Sequence, residues 1–310
     1  MAGKGGKKAD QQSDGRARVF SGHESFVCRY GWLPKLYEAV MANPAVFRDD
    51  ETAIVTLGLG KNMVRSIRFW GEAFGLLRVN PDGVGVTELA SAILDPQRGH
   101  DPYIESSSTL WKLHWQLCAH AGLGAWVIAF QEVVDPEIAK DRLIELVRAK
   151  ASGVRGDITS GTAAAHVDIL LRTYDAARME TDGALAEALG CPMQELELLS
   201  VMELSNQQTV RFPRKGRPDL DSAALAFALH DVWRSSGQSV KSLSFRSLML
   251  ERRSPGAIFK LDESSLYSAL EALCETKGLD LQEDGAGSVS LVATGKRGFA
   301  VLEDIAWGTH

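Results

Sequence analysis

Between Thr52 and Gly71 the chain holds no Asp or Glu, yet it carries Lys61, Arg65 and Arg68. At about 100° per residue, a helix from Lys61 to Phe74 places these cations in one narrow sector. Met63, Ile67, Trp70 and Phe74 fall nearly opposite. Such a helix buries one face and shows a cationic one. Gly58 and Gly60 supply a turn before it, after the short apolar piece AIVTL. Beyond it, RVNPDGVGVTELASAIL reads as a strand end, a Pro-Asp-Gly turn and a second short strand. Thr87 is placed to cap the helix that follows. Upstream, Leu33, Leu36, Tyr37 and Val40 recur at helical spacing in WLPKLYEAVM, where Pro34 is tolerated in a first turn. Helix, turn, helix, hairpin is the order of a winged helix-turn-helix, placed at residues 19–98.

The rest predicts a mainly α fold with small β-hairpins. Residues 1–18, with five Lys/Arg and two Asp, read as a disordered basic arm. Residues 99–206 read as a helical middle domain. It comprises a Trp-rich stretch near 106–133, an amphipathic helix in DPEIAKDRLIELVRAKA with Ile138, Leu143, Leu146 and Val147 inward, a loop at 152–162, and further helix through 182–202. Residues 207–212 read as a strand and 213–218 as an exposed loop, so that 207–218 forms a basic inter-domain connection. Residues 219–310 form a winged-helix-like C-terminal module, with a hairpin in LDLQEDGAGSVSLVATG and a closing helix in KRGFAVLEDIAW.

The formal net charge of −6 does not mark a nucleic-acid binder, so any such role rests on local charge. Cys28, Cys118, Cys191 and Cys274 are far apart with no CxxC pair, which argues for reduced thiols and against a zinc cage. No apolar run approaches the roughly 20 residues of a membrane span. The N-terminus lacks the apolar stretch of a signal peptide, so the expected location is cytoplasmic and no membrane partner is expected.

Cationic side chains with an apolar back suit a recognition helix. Lys61, Arg65 and Arg68 would meet phosphates and Asn62 would read a base edge. GLGKN lacks the spacing and the Ser/Thr of a P-loop, so no nucleotide cofactor is expected. A second basic cluster, Arg211, Arg214, Lys215 and Arg217, is a candidate clamp on a nucleic-acid backbone. The C-terminal module carries Asp262, Glu263, Glu271, Glu275, Glu283 and Asp284, which suits protein docking better than DNA.

For chemistry, SGHESFVCRYGW is the densest stretch. His23 and Glu24 offer a base or acid, and Arg29 a phosphate clamp, as phosphodiester cleavage requires. The alternative is that His23 and Glu24 only bond backbone near the helix-turn-helix. Asp219 and Asp221 in RPDLD are a possible pair of ligands for Mg2+ or another divalent metal. The acid-x-lysine that would complete a PD-(D/E)xK nuclease has no convincing counterpart.

FSGHESFVCRYGWLPKL followed by LGLGKNMVRSIRFWGEAFGLL resembles a bacterial family of proteins of unknown function whose members include the SspB component of single-strand DNA phosphorothioation systems. The likeness is strongest over residues 20–77. It implies a role in antiphage defence beside a cysteine desulfurase, an ATPase and an ATP pyrophosphatase-like sulfur-transfer protein. It also implies nicking of one strand of double-stranded DNA where sulfur is to enter the backbone. No residue-level nicking motif carries over with it. Three readings follow: a DNA-nicking endonuclease, a non-catalytic DNA-recognition adaptor, and a winged-helix transcriptional regulator.

Overall fold

Asp49 begins the helix-turn-helix by accepting the backbone N–H of Thr52 at 2.8 Å, which caps helix α2, Asp50–Leu57. Asp50 and Glu51 in its first turn suit the positive end of the helix dipole. The stretch read as a short apolar piece is thus a helix. Gly58, at φ 60°, ends it in the left-handed region. Helix α3, Lys61–Ala73, starts directly after Gly60 and buries Val64, Ile67 and Trp70. Burial of each large apolar side chain contributes about 1.5–3 kcal/mol. Helix α1, Trp32–Ala42, packs its buried Leu33, Leu36 and Val40 against the same pair.

The computed structural model describes residues 19–81, 83–152, 158–175, 190–204, 207–237 and 239–308. The basic arm at 1–18 lies outside them, as do Asp82, residues 153–157 of the loop expected at 152–162, and residues 182–189 of the segment read as helix. Strands β1, Leu77–Asn80, and β2, Gly83–Val86, form an antiparallel hairpin with Leu77 opposite Val86 and Asn80 opposite Gly83. Gly83 is required there. A Cβ would stand 2.3 Å from the Pro44 carbonyl oxygen, which accepts the N–H of Val84 at 3.0 Å. Thr87 caps α4, Glu88–Leu94, by accepting the N–H of Ala90. The order foreseen for the N-terminal module is therefore present.

The middle is mainly helical: α5, Ser107–Ala119; α6, Gly124–Val127; α7, Lys140–Ser152; and α8, Ser160–Tyr174. A single π-type turn follows α6, with the N–H of Val133 reaching the carbonyl of Ile128 at 2.8 Å. Two expectations are corrected. Ile138 lies in strand β3, Glu137–Ala139, ahead of α7. Residues 200–204 form strand β4, Ser200–Leu204. Both pair with the expected strand β5, Gln207–Arg211, in the order β3-β5-β4. Strand β3 comes from a segment far upstream of β5, so local periodicity does not reveal it, whereas β4 lies just before β5 in sequence and is preceded by an apolar spacing that reads as helix.

After β5 come α9, Ser222–Ser236; β6, Ser242–Ser244; α10, Phe245–Leu250; α11, Pro255–Ile258; and α12, Glu263–Cys274. The expected hairpin is β7, Leu279–Glu283, with β8, Val289–Ala293, and β6 adds a third strand on the far side of β8. The closing helix is α13, Val301–Trp307. Buried apolar side chains form one continuous cluster through these elements. Two buried lysines hold carbonyls inside it: Lys112 donates to Ala306 at 2.8 Å, and Lys260 to Ala129 at 2.8 Å and Val133 at 3.2 Å. Burial, and after it the nearby Arg214 guanidinium, lower the Lys260 ammonium to a pKa of about 7.

Among the described residues no helix is long and apolar enough to cross a membrane. All four cysteines are free thiols.

Candidate nucleic-acid interface and the loop beside it

The cationic face of α3 reaches solvent. The side chains of Lys61 and Arg65 are 56% and 49% exposed, and Asn62 is exposed beside them. They are not without acids. Asp50, across the turn in α2, accepts Lys61 at 2.9 Å and Arg65 at 3.7 Å. Arg68 pairs with Glu72 one turn on, at 2.8 Å, and its guanidinium lies over the Phe47 ring. The acid-free window therefore does not isolate the cations, because Asp50 stands just before it in sequence and folds back onto them. Such exposed pairs contribute about 0–1 kcal/mol, so a phosphate can displace them.

Phe69 lies on the same flank of α3. At about 100° per residue it falls within roughly 40° of both Arg65 and Asn62. The His23 ring meets it edge to face at 5.9 Å, and Gly22 lies under it. Gly22 has φ 112°, and a Cβ there would stand 2.9 Å from the Phe69 ring. Glu24 and Ser25 follow at φ 49° and 61°, two consecutive non-glycine residues in the left-handed region. Their strain is held from two sides. From α3, Trp70 Nε1 donates to the Phe26 carbonyl at 3.0 Å and Ser66 Oγ at 3.4 Å. From α8, Arg172 donates to the Ser25 carbonyl at 3.1 Å. Glu24 is left exposed at the turn.

His23 itself is buried. Its Nδ1 accepts the N–H of Ser25 at 3.2 Å, so the ring proton sits on Nε2, which faces Nδ1 of His166 at 3.4 Å. This bonding leaves His23 neutral. Desolvation, then the nearby Arg172, depresses its pKa. His166 is pushed down to about 3 by burial and then by His23, and its Nε2 has no hydrogen-bond partner among the described residues. Arg29 stands apart from this pair, its guanidinium over the rings of Phe26 and Trp32 at 5.7 Å each.

The second basic cluster does not form one exposed clamp. Arg217 is buried and bonds the carbonyls of Leu196, Glu197 and Pro213. Arg214 reaches the carbonyls of Gly256 and Leu261. Burial lowers the pKa of both guanidinium groups. Arg211 pairs with Glu137 and Lys215 with Glu197 at the surface. The loop expected to be exposed is thus turned inward at two of its arginines, whose guanidinium forks satisfy several surrounding carbonyls at once.

Asp219 and Asp221 are likewise engaged. Asp219 accepts Trp111 Nε1 at 3.0 Å. Asp221 caps α9 through Ala224 N at 2.8 Å and accepts Ser108 Oγ at 2.9 Å. Among the described residues no group of three or more His, Cys, Asp or Glu could hold a metal ion.

Asp50, Phe69, His166 and Arg172 escaped sequence reasoning. Only the position of Asp50, just upstream of the acid-free window, offered a signal. His166 and Arg172 sit in an ordinary helical pattern far along the chain.

The profile of a family described as "Protein of unknown function (DUF4007)" matches residues 20–303. The chain belongs to this family. Two solved structures are similar to this DUF4007 protein, both at 28% identity and both covering 94% of this chain and 88% of the other. One is an SspB crystal structure, with a TM-score of 0.81, and the other a magnesium ion-bound SspB crystal structure, with a TM-score of 0.82. The likeness read from the GHESF and GLGKNM stretches is borne out over nearly the whole chain. Among curated proteins none matches the sequence.

The magnesium belongs to that SspB structure. In this chain the acids at 219 and 221 are committed to an indole and to a helix cap, so they do not fit a metal site.

Proposed function

We propose that this DUF4007 protein is the DNA-contacting component of an SspB-type DNA phosphorothioation system. It grips double-stranded DNA with Lys61, Asn62, Arg65 and Arg68, and it nicks one strand at the loop carrying His23 and Glu24. The observation that supports this reading is the packing of His23 on Phe69. A strained turn with an exposed carboxylate thereby lies on the flank of the cationic helix, where a bound backbone would pass. Arg211 and Lys215 add backbone contacts at the surface, whereas Arg214 and Arg217 hold the loop that carries them.

Nicking adds a water oxygen to phosphorus and releases one sugar oxygen. It needs a proton acceptor and a counter-charge for the phosphate. Glu24 is assigned the proton, and Arg172 with Arg29 the charge. His23 positions the turn, since its unprotonated nitrogen is already taken by Ser25. Sulfur would come from the cysteine desulfurase, ATPase and pyrophosphatase-like partners of such a system.

A second reading, a DNA-recognition adaptor without chemistry of its own, is favoured by the engaged nitrogens of His23 and by the separated acids. Two measurements decide between them. Duplex binding is followed by fluorescence anisotropy across a salt series, for wild type and for Lys61→Ala/Arg65→Ala/Arg68→Ala. Unchanged affinity in the triple variant removes α3 as the binding helix. Supercoiled-plasmid relaxation is then measured with magnesium present, for wild type and Glu24→Gln. Relaxation by wild type and not by Glu24→Gln supports nicking at the loop, and binding without relaxation by pure wild type supports the adaptor.

A further inference from the structure

Tyr103 is 70% exposed and Tyr30 38%. The two rings line an open cleft of about 760 Å3 between the start of α1 and the loop before α5. Glu38, Glu105 and Glu195 line it as well, all exposed at the surface. Lys35 is the lone cation among the described lining residues, and its Nζ donates to the Leu57 carbonyl at 3.2 Å. Three carboxylates against one amine leave the cleft anionic.

Its walls are rigid. Buried Asp101 accepts the N–H groups of Glu105 and Ser106, both at 2.9 Å. Ile104, a β-branched residue at φ 59°, is buried beneath, which turns Tyr103 outward. On the facing wall the Tyr30 hydroxyl donates to the Glu195 carboxylate. Two exposed aromatic rings beside carboxylates offer a contact surface for a cation.

Aromatic faces ringed by carboxylates attract a guanidinium twice, through the ring quadrupole and through charge. The same carboxylates repel phosphate, which separates this cleft from the cationic face of α3. We infer that the cleft binds an arginine-bearing segment of a partner protein. Arginine suits it better than lysine, because a planar guanidinium can stack on Tyr103 while bonding a carboxylate in its fork. The inference makes no use of α3, so loss of DNA binding by the α3 variants leaves it standing.

The test uses the full chain and a short fluorescein-labelled peptide of alternating Arg and Gly, followed by anisotropy at low and high salt. Wild type should bind it, more weakly as salt rises. Tyr103→Ser and Glu105→Gln change exposed side chains, and each should weaken Kd about fivefold. Arg65→Ala should bind like wild type, and a Lys-Gly peptide should bind less tightly than the Arg-Gly one. Equal affinity in both cleft variants overturns the inference. So does a thymidine oligonucleotide that competes with the peptide on wild type and loses affinity in Tyr103→Ser, since that result assigns the cleft to bases.

Discussion

His23 stacks on His166 with ring centroids 5.5 Å apart and planes 13° from parallel. The contact joins residues 143 positions apart and runs from the N-terminal loop to α8. One proton lies between the rings, and Ser25 N–H fixes which ring donates it. The GHES turn is therefore held by a neutral imidazole pair and by Arg172, not by ion pairs.

That neutrality makes stability depend on pH. His166 has a pKa near 3 in the fold against 6.5 in an unfolded chain, and so does His114, buried in α5 between the Tyr174 hydroxyl and the Ile258 carbonyl, with burial the main cause for both. The unfolded chain therefore binds more protons below about pH 6.5. Their stabilising effect is complete above that pH and falls as the pH drops toward 3. Between pH 8 and pH 5 the loss is about 2 kcal/mol per histidine. Urea unfolding at the two pH values checks this, and His166→Asn should show the smaller loss. An identical loss in that variant would rule out His166 as a contributor.

Gly22→Ala should disrupt the turn. It places a methyl group 2.9 Å from the Phe69 ring at a φ of 112°. A destabilisation of about 1–3 kcal/mol is expected, with loss of any plasmid relaxation and with duplex affinity changed less than twofold to threefold. Thermal melts and anisotropy on the same preparation separate these effects. Wild-type behaviour in both would mean that the turn can shift freely.

Asp50→Asn should strengthen duplex binding. Asp50 holds Lys61 and Arg65, and in the proposed complex it would release them to phosphate. Affinity should rise about threefold to tenfold at low salt, with the gain shrinking as salt increases. The triple alanine variant should instead flatten the log-log salt slope by about 2–3. A weaker Asp50→Asn complex would place the backbone elsewhere.

Asp221 can be tested as cap against ligand. Asn caps a helix about as well as Asp, whereas Ala costs about 1 kcal/mol or more. Asp221→Asn should thus keep wild-type stability and any magnesium response, and Asp221→Ala should lose stability alone. A magnesium response lost in Asp221→Asn would restore the metal assignment.

Arg217 and Lys215 should behave differently despite their spacing. Arg217→Ala leaves one buried and two partly buried carbonyls without their Arg217 donor and should cost about 2–3 kcal/mol. Lys215→Ala should stay within about 0.5 kcal/mol and lower duplex affinity slightly. Chemical denaturation of both variants decides the matter.

Much of the local structure was readable along the chain. The apolar spacing of α1 and α3, the glycines that break α2 from α3, the Thr87 cap and the C-terminal hairpin all follow from neighbours within a few residues. Strands β3 and β4 were not readable: β3 is short and gains its hydrogen bonds from β5 across a long separation in sequence, whereas β4 neighbours β5 but sits at the end of the stretch QELELLSVM, whose apolar spacing reads as helix. The candidate site divides in the same way. Its cationic face follows from helical spacing alone. Its acid partner, Asp50, arrives only when α2 turns back on α3.

From sequence alone come the mainly α class, the cationic helix with its apolar back, and the likeness to the SspB-containing family, since these need only periodicity, composition and motif. Tertiary structure alone decides what the same charges do. Burial turned Arg217 into scaffold, hydrogen bonds to Trp111 and to the start of α9 did the same for Asp219 and Asp221, and packing brought His166 onto His23. It also set the Glu24 turn beside Phe69. Desolvation and hydrogen-bond partners depend on what surrounds a side chain, and those surroundings come from residues far away in the chain.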